Sequence, residues 1–209
     1  MTSSRRITTI DGMNQRMDVT TMRNMVAAFL LTLLVVASSG AHAGEPTYRR
    51  TAERHVMPDV VLVNQNGAKV RFRELMQSDK PVIVDFIFST CTSICPILSA
   101  SFANLQQKLG ADAQKVRLVS ISIDPENDTP KVMKEYLERY RAKPGWDFLT
   151  GTRADIDKVM YAFNAYIPNK TSHYPLTLIR STNDGTWIRI FGLMGSAEFL
   201  SECRKVGIQ

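Results

Sequence analysis

Apolar positions along the chain recur with two spacings, and each change of spacing marks an element. Residues 60–63 form a short apolar run. Beyond Asn66-Gly67, Val70 and Phe72 alternate with Lys69, Arg71 and Arg73, which predicts a β-hairpin. Residues 81–89 (PVIVDFIFS) are almost unbroken in apolar and β-branched side chains, the pattern of a strand buried on both faces. Leu98, Phe102, Leu105 and Leu109 then share one helical face, with Gly110 as the stop. Residues 116–123 read as a second buried strand. Thr129-Pro130 gives a cap and first-turn proline to a helix that turns Met133, Tyr136, Leu137 and Tyr140 inward and ends at Pro144-Gly145. Ile156, Val159, Met160 and Phe163 mark another helix. Residues 176–180 and 186–191 are two strands joined through Asn183-Asp184-Gly185, and a last helix spans about 196–205. The order is a β-hairpin, then β-α-β, two helices and β-β-α. The crossover helix makes its flanking strands parallel, and the last two strands form an antiparallel pair. The fold class is α/β: a mixed sheet with helices on both faces.

Composition adds a leader and removes one class of partner. Of 209 residues, 44% are hydrophobic and 22% charged, as in ordinary globular chains. Residues 25–37 (MVAAFLLTLLVVA) are the one long apolar run, shorter than the ~20 residues a spanning helix needs. They follow basic residues and lead into Ala41-His42-Ala43, a small-residue cleavage pattern. Residues 1–43 are therefore expected to be a signal peptide cut after Ala43, with the mature protein in a bacterial periplasm, membrane-anchored only if the leader stays uncut. Residues 44–58 are polar and without period, a flexible lead-in to one domain over 59–209. Without the leader's four arginines and two aspartates, 22 basic and 18 acidic residues remain, scattered and without a Lys/Arg block. No nucleic-acid partner is expected. Three cysteines are too few for a disulfide scaffold, and the odd count points to chemistry.

That chemistry centres on Cys91-Thr92-Ser93-Ile94-Cys95-Pro96, where a buried strand hands over to a helix. A four-residue spacing puts both sulfurs on one side of the first turn, and a helix N-terminus favours thiolates. In an oxidising compartment such a pair tends to close into a disulfide. Asp85 stands inside Val84-Asp85-Phe86, six residues before the first cysteine. A carboxyl on a strand buried on both faces is costly unless partnered or protonated, so Asp85 is a candidate proton relay; the alternative is a position facing solvent. His173 precedes Tyr174-Pro175 and a strand, in the loop that lies against the cysteine pair in a thioredoxin-like fold. Two thiolates and one imidazole make a soft, low-coordinate site suited to Cu(I), whereas structural zinc takes four ligands. His55, in the polar lead-in, is expected to be solvated. Cys203 shares a helical face with Phe199 and Leu200 and is expected to be a buried, inert thiol.

Three blocks resemble the SCO/SenC family of thioredoxin-fold copper proteins, named for synthesis of cytochrome oxidase. They are Phe88-Ser89-Thr90-Cys91-Thr92-Ser93-Ile94-Cys95-Pro96, then Ser122-Ile123-Asp124-Pro125-Glu126-Asn127-Asp128-Thr129-Pro130, and Ser172-His173 before a strand. Asp147-Phe148-Leu149-Thr150-Gly151 also matches, so the resemblance covers about residues 57–206. It implies a thioredoxin-like fold and one copper ion held by Cys91, Cys95 and His173, with Asp124 close to the site. The run Tyr174-Pro175-Leu176-Thr177 is more like a thioredoxin loop, whose proline is cis, so the 174–175 bond is a candidate cis peptide.

Two functions follow from these residues. The first is a metallochaperone that binds Cu(I), with Cu(II) as a second state, through Cys91, Cys95 and His173. It would pass the ion to the copper-site subunit of cytochrome oxidase. The second is a thiol–disulfide oxidoreductase in which Cys91 attacks and Cys95 resolves, keeping the oxidase copper-site cysteines reduced. Both need a periplasmic thiol reductant. A carrier is expected ahead of an enzyme, because dithiol exchange does not need His173. A thiol peroxidase lacks support, since no recognisable peroxidase motif is present.

Overall fold

The computed structural model describes Thr20, Arg23, Asn24 and residues 48–182 and 184–208. The chain divides into two units, 1–45 and 46–209. In the first, Thr20, Arg23 and Asn24 are helical; the apolar run at 25–37 and the expected cleavage point after Ala43 lie outside the described residues. No helix among the described residues is long and apolar enough to cross a membrane.

The second unit contains β1 (Arg49–Glu53), β2 (Val61–Asn64), β3 (Lys69–Arg71), α1 (Phe72–Met76), β4 (Val82–Ile87), α2 (Cys95–Leu109), β5 (Arg117–Ser122), α3 (Pro130–Arg139), β6 (Trp146–Thr150), α4 (Arg153–Ala162), β7 (Leu176–Arg180), β8 (Trp187–Phe191) and α5 (Ser196–Lys205). The strands form one sheet in the order β1-β8-β7-β4-β5-β6-β2-β3. All six residues of β4 are buried, as its unbroken apolar run predicts. It lies parallel to β5 through α2 and antiparallel to β7. β7 and β8 form the expected antiparallel pair, and β2 and β3 the expected hairpin. In the hairpin turn Gly67 takes φ 76°, and the Asn64 side chain accepts the N–H groups of Asn66 and Ala68.

Alternation along the strands sends side chains to two covered faces. On one, Phe102 of α2 meets Trp146 and Phe199, and Tyr136 of α3 meets Phe148. On the other, Phe163 at the end of α4 packs edge-on against Phe72 and Phe86. Each such aromatic pair contributes about 0.5–1.5 kcal/mol beyond its area burial. Thr129 caps α3 by accepting the Val132 N–H, and Gly110 ends α2 at φ 56°, both as the sequence indicates.

Four local readings are corrected. Residues 49–53 are a strand paired along its length with β8, within the stretch read as a flexible lead-in. They are nearly all exposed, so no burial pattern marks them; backbone pairing with β8 and ion pairs from Arg50 to Glu202 and from Glu53 to Arg189 hold them. Phe72 begins a helix instead of ending a strand, because Phe72 and Met76, four residues apart, both reach the core. Trp146–Thr150 is a sixth strand, parallel to β5. His55 is not solvated: its side chain is 3% exposed. Its Nδ1 lies 2.8 Å from the Ala162 carbonyl, with the Phe163 and Trp187 rings against it.

Candidate metal centre

The structure brings Cys91, Cys95 and His173 together, their ligand atoms all within 4.8 Å of one another. Among the described residues this is the one group of three or more His, Cys, Asp or Glu side chains so placed, and all three cysteines are free thiols. Three segments meet here: the turn after β4, the first turn of α2, and the loop entering β7.

The cysteines are not equivalent. α2 begins at Cys95, so Cys91 lies before the helix rather than in its first turn. No side chain of the N-cap residue, Ile94, caps that helix; the Cys91 sulfur accepts one of the otherwise unpaired N–H groups of its first turn, that of Cys95, at 3.5 Å. The Ser93 hydroxyl lies 3.6 Å from the same sulfur. Burial works against the Cys91 thiolate, but hydrogen bonds from Cys95 and Ser93 outweigh it and hold the pKa below the usual thiol value. Cys95 is fully buried, and burial, joined by its hydrogen bond to Cys91, pushes its pKa well above that value. Cys91 is therefore the more acidic thiol of the pair, where spacing alone treats the two alike.

His173 Nε2 approaches Cys95 Sγ to 3.1 Å and Cys91 Sγ to 3.7 Å. Its Nδ1 lies 2.9 Å from the Lys170 carbonyl, an obligate acceptor, so Nδ1 carries the proton and Nε2 presents its lone pair to the sulfurs. Burial lowers the His173 pKa against that backbone bond, which favours the neutral ring. A neutral imidazole and two sulfurs are a donor set that fits a soft metal ion. The Tyr174–Pro175 bond is trans, because the described chain contains no cis peptide. The 3-10 turn Lys170–Ser172 already redirects the chain, and the Pro175 carbonyl accepts the Gly192 N–H as an extension of the β7–β8 ladder.

Asp85 is fully buried, not turned to solvent, on the sheet face that α2 covers. Burial raises its pKa to about 7 against a weaker contribution from Ser120, and neither carboxylate oxygen has a partner within hydrogen-bond geometry. Cys203 is buried as expected, and burial raises its pKa to about 12.

Two further residues shape the site. Asp128, 1% exposed, accepts the Ser89 N–H and hydroxyl and the Ser122 hydroxyl, pinning the turn that leads to Cys91. Burial raises its pKa despite those bonds. The block 122–130 contains Asp128, and two serines within reach of one carboxylate are a signal only once the fold is known. Lys170 carries no sequence signal at all.

Strand order, crossover and site together define a thioredoxin-like domain with a Cys–Cys–His group. The SCO1/SenC family model matches residues 49–185. The chain belongs to the SCO1/SenC family. The SCO1 protein homolog of Bacillus subtilis is 32% identical over 145 residues, 68% of this chain and 71% of that protein. Protein SenC of Rhodobacter capsulatus is 34% identical over 118 residues, 56% of this chain and 52% of its own length. Among solved structures, BsSco, described as a cytochrome c oxidase assembly protein with a disulfide switch, superposes with TM-score 0.61 at 27% identity, over 75% of this chain and 95% of its own. ScoI of Bradyrhizobium japonicum, solved with copper bound, gives TM-score 0.59 at 28% identity over 74% of this chain and 99% of its own.

Proposed function

We propose that the protein is an exported copper metallochaperone. It holds Cu(I), and Cu(II) as a second state, between Cys91, Cys95 and His173 and delivers it to the copper-site subunit of a respiratory oxidase. The observation that carries this reading is the third donor. Dithiol exchange needs no imidazole, yet His173 Nε2 turns its lone pair toward both sulfurs. Two sulfurs and one imidazole favour Cu(I) over hard, oxygen-seeking cations, and fall one short of a structural zinc site. Binding displaces the proton that burial keeps on Cys95, so loading releases acid. The copper in the Bradyrhizobium relative and the oxidase-assembly role stated for BsSco support the same reading. Under it, residues 1–43 are a leader cut after Ala43 and the mature protein works in the periplasm, anchored only where the leader remains. There a thiol reductant keeps the pair from closing.

A second reading draws on the inequality of the thiols: a thiol–disulfide oxidoreductase with Cys91 attacking, Cys95 resolving and Asp85 taking the resolving proton. Anaerobic Cu(I) titration of the reduced protein, with X-ray absorption, separates the two. The carrier reading expects one copper per chain with two sulfur neighbours and one nitrogen. It also expects His173→Ala to weaken binding by at least about tenfold while dithiol exchange continues. A His173→Ala protein that binds copper like the parent but no longer reduces a disulfide substrate would hand the site to the oxidoreductase.

A further inference from the structure

His173 reaches the sulfurs from the long connection between α4 and β7, whose regular structure is the 3-10 turn Lys170–Ser172. Loops of this kind are mobile unless something fastens them. Lys170 provides the fastening at both of its ends. Its carbonyl accepts the His173 backbone N–H at 3.2 Å and faces the ring Nδ1 at 2.9 Å. Its ammonium lies 2.5 Å from Asp124 Oδ2, and the Asp124 side chain is only 5% exposed. Asp124 is itself fixed: its N–H donates to Ser122 Oγ at 3.0 Å, and its two oxygens accept from Asn127 Nδ2 at 3.0 and 3.1 Å. The same ammonium stands 5.4 Å over the Phe88 ring, and that ring packs edge-on against His173 at 5.0 Å.

An ion pair with one buried member differs from a surface pair, because breaking it leaves a buried charge short of a partner. The cation–π contact adds to it from a second direction. We infer that Lys170 is a positioning residue for His173: its ammonium, seated on Asp124 and Phe88, holds the loop so that the imidazole meets the two sulfurs. The inference rests on reading Cys91, Cys95 and His173 as a copper site. It deepens that reading by naming what sets the nitrogen donor in place. Lys170 bonds directly to the histidine through its carbonyl and reaches the cysteine turn only through the Phe88 ring and Asp124, so its influence falls first on the nitrogen side.

The test uses Lys170→Met, Asp124→Asn and Lys170→Arg in the full-length protein, each checked for native near-UV circular dichroism. Lys170→Met should lower Cu(I) affinity about 10–100-fold, the range found when groups that orient a ligand are removed. The nitrogen neighbour should weaken in X-ray absorption. Without metal, the nuclear Overhauser contacts between the Phe88 and His173 rings should fade. The Cys91–Cys95 equilibrium with glutathione should stay within twofold of the parent. Asp124→Asn should do the same, which keeps the test open if Lys170→Met does not fold, and Lys170→Arg should restore most of the affinity. Parent-like affinity and ring contacts in both Lys170→Met and Asp124→Asn would overturn the inference. So would equal losses in copper affinity and in the dithiol equilibrium, because Lys170 would then be general scaffold. A parent that binds no copper would instead overturn the copper reading beneath it.

Discussion

Asp85 is shut off from solvent with neither carboxylate oxygen in hydrogen-bond geometry, and burial dominates its titration. Burial raises its folded pKa to about 7, far above the roughly 3.9 of an unfolded aspartate. Between those values the folded chain keeps a proton that the unfolded chain has lost. The stability that Asp85 contributes therefore falls as pH climbs from about 4 to about 7, by on the order of 4 kcal/mol, and levels off above. Asp85→Asn should abolish that slope, as urea unfolding between pH 4 and pH 8 would reveal; an unchanged slope would mean the carboxyl finds a partner on folding. The sequence makes Asp85 conspicuous because a single acid interrupts an apolar strand. Cys91, Cys95 and His173 were legible for a similar reason, being rare residue types at strand ends. Lys170 was not, since lysine is common and its role depends on a carbonyl three residues from the histidine and on a carboxylate 46 positions away.

At the level of elements, the start of α2 decides which thiol reacts. Cys91 lies outside the helix and receives its N–H, while Cys95 is its first residue and is buried. At pH 7 iodoacetamide should therefore modify Cys91 first, with Cys95 and Cys203 reacting only after unfolding. Peptide mass spectrometry of a timed reaction would settle the order, and equal rates at 91 and 95 would contradict it. Most elements could be read from their periods, since each buries a regular stripe. β1 escaped because RRTAE buries almost nothing. α1 escaped because five residues give one repeat of a helical period. β6 did carry a signal, with Trp146 and Phe148 flanking Asp147, but it is short and follows directly on a helix stop.

Across the whole molecule, Glu202 joins the first strand to the last helix. Its carboxylate, 1% exposed, accepts from Tyr48 Oη at 2.9 Å, Arg50 Nε at 2.9 Å and Lys205 Nζ at 2.6 Å. Burial opposes its charge, but those three donors overcome it and hold the pKa below the ordinary glutamate value. That contribution is complete above the unfolded pKa and is lost as pH falls through the lower folded one. Glu202→Ala should cost about 2–3 kcal/mol in urea unfolding at pH 7, less at pH 3, and should expose the β1 amides to hydrogen exchange. Unaltered protection there would mean that β8 alone retains the strand. The pairing of β1 with β8 also sets an order in time. Residues 49–53 are the first strand of the sheet to be made, but their partners, Trp187–Phe191, are its last strand to appear. The loop they close is among the longest in the fold, so this edge joins late. A strand that must wait so long in water is safest if it has little to hide, and the charged, solvent-facing Arg49–Glu53 can wait without recruiting a wrong neighbour.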